Sequence, residues 1–273
     1  MAIGSTIPSN KRHTFTNKHT KRSRMEFLDC NLAYGLADIV GGQVKGCASF
    51  AELKTHMDRA GLAGGLVIQS LSEVKLGNEL LAADIRGHEN IHGVWRLVPS
   101  CTGELPSPDA LPAVMKANRI AALTLCPQIN RFMTNKFAIG DYLDMAEARK
   151  IPVLLNTARS LSLEQAADIM TDFPHLTAVL SYLHCFPSDR QLRPFLDAFP
   201  NLHLDMTSIL ADSWLPDILK KYSATRILFG SGFPASYIGS HMMVIRHAQI
   251  ADDDKRLIAG GNLRRLISEI RYD

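Results

Sequence analysis

His184 follows the apolar run Leu176–Tyr182 and, of ten histidines, is the one predicted at the end of a strand. An imidazole that titrates near neutrality is suited to general acid–base work. Tyr182 shares its period-2 parity, so the two side chains face one side. Asp205, inside LHLDMTS, is suited to orienting His184 or binding a substrate hydroxyl. The other role open to it is a carboxylate hydrogen-bonded to neighbouring backbone or to Arg96. Arg96 interrupts the apolar GVWRLVP, and a buried guanidinium suits a carboxylate or phosphate through paired hydrogen bonds. An ion pair between strands is the structural alternative. Asn31 and Asn156 can hold a water or a substrate carbonyl, or fill a polar core. Ser231 sits in Gly230-Ser231-Gly232, a turn whose N–H groups can meet an anion or which needs small residues to close. Gln69, Cys126 and Thr207 complete the polar residues expected at strand ends. Neither Cys126 nor Cys30 has a histidine in its own motif, so both read as small buried hydrophobes.

The elements that must position these groups alternate regularly. Strand-like runs at 26–31, 62–69, 91–98, 120–126, 151–156, 176–182, 202–206 and 226–229 are separated by helix-like segments at 50–60, 72–86, 110–118, 139–149, 162–173, 189–198 and 213–222. Ser162 is a plausible helix cap. Two further helical segments, 239–249 and 262–270, close the chain, and 100–108 and 128–137 read as loops. Continuous apolar strands between amphipathic helices imply a parallel sheet covered by helices. Eight such units in about 250 residues predict a closed (β/α)8 TIM barrel in one domain, with an open doubly wound sheet as the alternative. No GxGxxG follows the first strand, which counts against a dinucleotide cofactor. In such a barrel the residues above collect at the strand C-termini, where ligands bind.

Composition sets the outer limits. The chain has 273 residues, 46% of them hydrophobic, enough for a sizeable core. No apolar run reaches the roughly 18 residues of a membrane helix, so no membrane partner is expected. The net charge of +3 resides in the first 24 residues, which hold Lys11, Arg12, Lys18, Lys21, Arg22 and Arg24 and no acidic residue. Without those six, 24 basic residues face 27 acidic ones, a balance that does not suit nucleic acid. Residues 1–24 are expected to form a disordered basic tail ahead of a domain at 25–273, or to bind an acidic surface. The five cysteines are widely spaced and form no CxxC, which points to a reducing, cytoplasmic compartment rather than a disulfide framework or zinc knuckle.

Five places in order resemble the amidohydrolase-related family of metal-dependent TIM-barrel hydrolases and decarboxylases. FLDCNLAYG resembles its D-x-H-x-H-x-G opening, IPVLLNTA its P-V-x-x-H-T segment, and LTAVLSYLHC its strand ending in histidine. RILFGSGFP resembles R-I-L-F-G-S-D-x-P, and GGNLRRLI resembles G-G-N-A-x-R-L-L. The resemblance implies a metal held by histidines and an aspartate. At those positions stand Asn31, Ala33, Asn156, Tyr182 and Gly232. Glycine and alanine carry no donor and an amide oxygen is a poor zinc ligand, so no metal or other cofactor is expected. Three functions follow. The first is a barrel that binds a small polar or anionic molecule, with metal-independent hydrolase or lyase chemistry by His184, Asp205 and Tyr182 and binding by Asn31, Arg96, Asn156 and Ser231. The second is a catalytically silent pseudoenzyme with a binding or assembly role. The third is a metallohydrolase rebuilt around His184 and Asp205. The family resemblance also makes a homodimer reasonable.

Overall fold

The computed structural model describes residues 25–35, 38–40, 43–157, 160–181, 189–211 and 213–273. The expected basic tail, Tyr182 and His184 lie outside them.

Strand β1 (Leu28–Tyr34) is followed by a short antiparallel hairpin of β2 (Asp38–Val40) and β3 (Gln43–Lys45). The βα units then run α1 (Phe50–Ala60), β4 (Gly64–Gln69), α2 (Val74–Asp84), β5 (Ile91–Leu97), α3 (Leu111–Ala117) and β6 (Ile120–Leu125). The one-turn α4 (Pro127–Asn130) precedes α5 (Lys136–Ala148), β7 (Val153–Asn156), α6 (Leu163–Asp172), β8 (Ala178–Ser181) and α7 (Asp189–Ala198). Then come β9 (Leu202–Asp205), α8 (Trp214–Ile218), β10 (Ile227–Leu228), α9 (Ile238–His247), α10 (Asp252–Arg256) and α11 (Asn262–Ser268).

Eight parallel strands pair in the order β1-β4-β5-β6-β7-β8-β9-β10. The sheet closes where Cys30 N–H donates to the Phe229 carbonyl at 2.9 Å, Ala33 N–H donates to the Phe233 carbonyl at 2.9 Å, and Leu32 bridges Phe233. The molecule is therefore a TIM barrel with eight βα units, as the alternation predicts. Alternate strand residues point inward, as the period-2 geometry requires. Leu66, Val94, Ala122, Leu154 and Val179 pack inside the barrel, while the opposite parity, such as Val67, Leu123, Leu155 and Leu180, packs against the helices.

Local chemistry sets the helix ends. Ser49 caps α1 by accepting the Glu52 N–H, and Gly61 ends it in the left-handed conformation that glycine adopts without strain. Ser162 and Gln165 form a reciprocal capping box on α6. Two departures from the sequence expectation concern irregular structure. Residues 128–137 are not one loop, since Pro127 starts a helical turn and α5 begins at Lys136. The hairpin β2–β3 is too short and too rich in glycine on its flanks for an alternating pattern to register.

Candidate functional site

A cavity of about 560 Å³ opens at the carbonyl ends of the strands. Its polar wall includes Asn31 from β1, Arg96 from β5, Thr124 from β6, Asn156 from β7 and Ser181 from β8. Leu66, Ile68, Val94, Leu154 and Phe233 supply apolar surface. Inward parity explains the set, because Val94 and Arg96, like Leu154 and Asn156, lie two apart on one strand. The barrel therefore brings Asn31, Arg96 and Asn156 to one chamber from three separated segments.

Asp205 lies behind that wall rather than on it. It is 1% exposed. One carboxylate oxygen, Oδ1, accepts the Thr207 N–H at 2.9 Å, and the other, Oδ2, accepts Asn31 Nδ2 at 2.8 Å. The Thr207 hydroxyl lies 2.8 and 2.7 Å from the two oxygens and itself accepts the second Asn31 amide hydrogen at 2.9 Å. Asn31 thus spends both N–H donors on Asp205 and Thr207. Asp205 makes the backbone bond open to it as a structural carboxylate, and among the described residues it forms no ion pair with Arg96. Burial raises its pKa above the ordinary carboxylate range against the lowering effect of these hydrogen bonds.

Ser231 also faces away from the cavity. Its N–H lies 3.1 and 3.2 Å from the two Asp29 oxygens, and its hydroxyl accepts the Phe233 N–H at 3.2 Å. The turn expected to offer N–H groups to an external anion spends that donor on Asp29 instead. Gly232, at φ +66°, would place a Cβ 2.3 Å from the Thr207 methyl group. Asp29 is fully buried, and desolvation pushes its pKa up to about 7 even though it accepts the Asn31 and Ser231 N–H groups. Burial, followed by the Asp205 and Asp29 charges, raises the Cys30 thiol well above its usual pKa, so Cys30 is an inert hydrophobe. Cys126 is buried at the cavity wall, with the Ser160 hydroxyl 3.6 Å from its sulfur.

Arg96 is 6% exposed and lines the cavity. Its Nη1 donates to the Leu71 carbonyl at 2.5 Å, and its Nε is buried without a hydrogen-bond partner. No carboxylate pairs with it among the described residues. The interstrand ion pair that was its structural alternative is absent from that set.

Sequence reasoning gave no role to two supporting groups. His241 on α9 is fully buried, and its Nε2 lies 2.7 Å from the Thr207 carbonyl, so it donates and fixes the residue that holds Asn31. The signal was present, since Ile238, His241, Met242 and Ile245 trace the buried face of α9. Ser160, at the cavity wall, sits in a connection without periodicity and had no such signal.

No protein-family model and no curated protein sequence matches the chain. Solved structures do match. TIM-barrel protein Bb4693 from Bordetella bronchiseptica shares 22% identity over 81% of this chain and 83% of its own, with a TM-score of 0.61. The 5-carboxyvanillate decarboxylase LigW from Sphingomonas paucimobilis shares 13% identity over 89% of this chain and 99% of its own, at 0.66. A dihydroxybenzoic acid decarboxylase from Polaromonas sp. JS666, with bound manganese and the inhibitor 2-nitroresorcinol, shares 13% over 89% and 97%, at 0.64. At these identities the likeness is one of fold, the TIM barrel.

Among the described residues the donor set does not suit an ion such as the manganese bound in the Polaromonas enzyme. Asn31 turns its amide N–H groups to Asp205 and Thr207, and Gly232 has no side chain and no room for one. Asp205 is committed to three donor groups. Among the described residues no three His, Cys, Asp or Glu side chains converge to hold an ion. Among the described residues, too, no helix is long and apolar enough to cross a membrane.

Proposed function

We propose that the cavity binds a small anionic molecule, with Arg96 as its charge partner and Asn31 and Asn156 placing its neutral polar groups. One observation carries this reading. Arg96 is a buried cation on the cavity wall, with one carbonyl as partner and no countercharge among the described residues. An unpaired buried charge is costly, and a bound carboxylate or phosphate removes that cost. A cavity of about 560 Å³ suits a small ligand. Two of the structural neighbours are decarboxylases of carboxylic acids by name, which favours a carboxylate.

The chemistry proposed is a metal-independent hydrolytic or lyase step. His184 is assigned acid–base transfer and Tyr182 substrate positioning, on their place three residues and one residue beyond the end of β8. Asp205 is assigned a positioning role through Asn31. A second reading, a catalytically silent binding protein, is favoured by Ala33 and Gly232 at positions where the resembled family carries ligands. A homodimer in the cytoplasm belongs to the same proposal, the location resting on cysteines that are free wherever they are described.

Calorimetric titration of the full chain with benzoate, citrate and inorganic phosphate tests the reading. Saturable binding that Arg96→Gln removes supports it; binding unchanged in Arg96→Gln sinks it. Turnover of a bound carboxylate that is lost in His184→Ala without loss of binding separates the enzyme from the silent binder.

A further inference from the structure

The reach of Arg96 into the cavity depends on a residue of the preceding helix. In a barrel each strand residue normally spends its backbone N–H and C=O on neighbouring strands. The β4–β5 ladder runs only as far as Val67↔Gly93, so beyond it the β4 side of β5 has no strand to pair with. At Arg96 a side chain fills the gap. Asn78, 6% exposed on α2, accepts the Arg96 N–H through Oδ1 at 3.0 Å and donates Nδ2 to the Arg96 carbonyl at 3.1 Å. Its own carbonyl accepts Trp95 Nε1 at 3.1 Å. A primary amide alone matches both backbone groups at once, because it offers one acceptor and one donor side by side. Farther out, the Gln69 side chain accepts the Leu71 N–H and so shapes the turn whose carbonyl receives Arg96 Nη1.

We infer that Asn78 is a positioning residue of the anion site: its amide stands in for the missing strand and holds the Arg96 backbone where the guanidinium meets the ligand. The inference rests on the anion-binding reading of Arg96. Asn78 reaches no ligand itself, so its effect passes through Arg96.

The test uses the full chain and whichever of benzoate, citrate and inorganic phosphate it binds most tightly. Affinity is measured by calorimetry, and the Arg96 Nε–H resonance is followed during titration after assignment by its loss in Arg96→Gln. Asn78→Asp keeps the shape and one acceptor but sets a carboxylate oxygen against the Arg96 carbonyl; Asn78→Ser is the second variant should the first not fold. The expected result is an affinity loss of about tenfold, the scale typical of groups that orient a binding residue, with a displaced Arg96 Nε–H resonance in the ligand-free protein. Loss of affinity in Arg96→Gln with wild-type affinity and resonance in a folded Asn78 variant overturns the role of Asn78 alone. Wild-type affinity in Arg96→Gln, or no binding of any of the three anions, overturns the anion reading and this inference with it.

Discussion

On the anion-binding reading proposed above, Arg96 sets stability against function at a single side chain. A buried ion pair, when broken, leaves an uncompensated charge and costs about 3–5 kcal/mol. Arg96 has no carboxylate partner among the described residues and an orphan Nε, so removing it relieves a desolvation cost and forfeits one hydrogen bond to Leu71. Arg96→Met is therefore expected to leave unfolding stability within about 1 kcal/mol of wild type while abolishing anion affinity. Urea denaturation of the ligand-free protein beside a binding titration checks both halves. A loss of several kcal/mol would show that the guanidinium is structural. Asp205 works in the opposite sense. Its oxygens accept from Thr207 and Asn31, so it shapes the cavity wall from behind.

At the scale of elements, the turn after β10 and the end of β9 are fitted to each other. Gly232 has φ +66°, and a Cβ there would sit 2.3 Å from the Thr207 methyl carbon. Gly232→Ala therefore meets both a left-handed backbone and an overpacked contact, with an expected cost of about 2–3 kcal/mol. Thr207→Ser deletes the methyl group and keeps the hydroxyl that Asp205 and Asn31 use, so the double variant is expected to recover about 1 kcal/mol of coupling. Additive losses in a denaturation cycle would show that the two residues do not meet. The turn also marks where sequence stops being legible. The strand at Ile227–Phe229 and the eight βα units follow from apolar runs, because burial on both faces demands them. Asn31, Arg96 and Asn156 could be placed at the cavity from their positions toward the C-terminal ends of apolar strands. Ser231 could not, since the direction of its N–H depends on Asp29, 202 residues earlier. Asn78 escaped for a related reason. An asparagine in a helical run carries no sign of facing a strand that lacks its neighbour, and only the short β4–β5 ladder reveals it.

For the whole molecule, two sets of buried groups pull stability in opposite directions over the same pH range. Burial, then the charges of Arg265 and Arg226, lowers the pKa of His203 from 6.5 to about 4. Its Nε2 lies 3.3 Å from Arg265 Nη2 and its Nδ1 lies 3.1 Å from the Asn201 carbonyl, so Nε2 accepts, Nδ1 donates, and the folded ring has no place for a second proton. The unfolded chain takes up that proton between pH 6.5 and 4, so this stability is present above 6.5 and is lost on acidification, by about 3 kcal/mol in all. Asp29 behaves in reverse. Its carboxyl is raised from 3.8 to about 7 by burial, so the unfolded state ionises first and stability is lost as pH rises from 3.8 to 7, by on the order of 4 kcal/mol. The two trends offset one another, and the wild-type protein is expected to show a shallow stability profile between pH 4.5 and 6.5. Asp29→Asn, which keeps an acceptor for the Asn31 and Ser231 N–H groups, unmasks the histidine and should make stability fall steeply toward pH 4.5. His203→Gln unmasks the carboxyl and should make stability fall as pH rises. Urea denaturation of the three proteins at pH 4.5, 5.5 and 6.5 decides the matter, because profiles that stay parallel would mean that neither group carries its shifted proton equilibrium into the folding of the barrel.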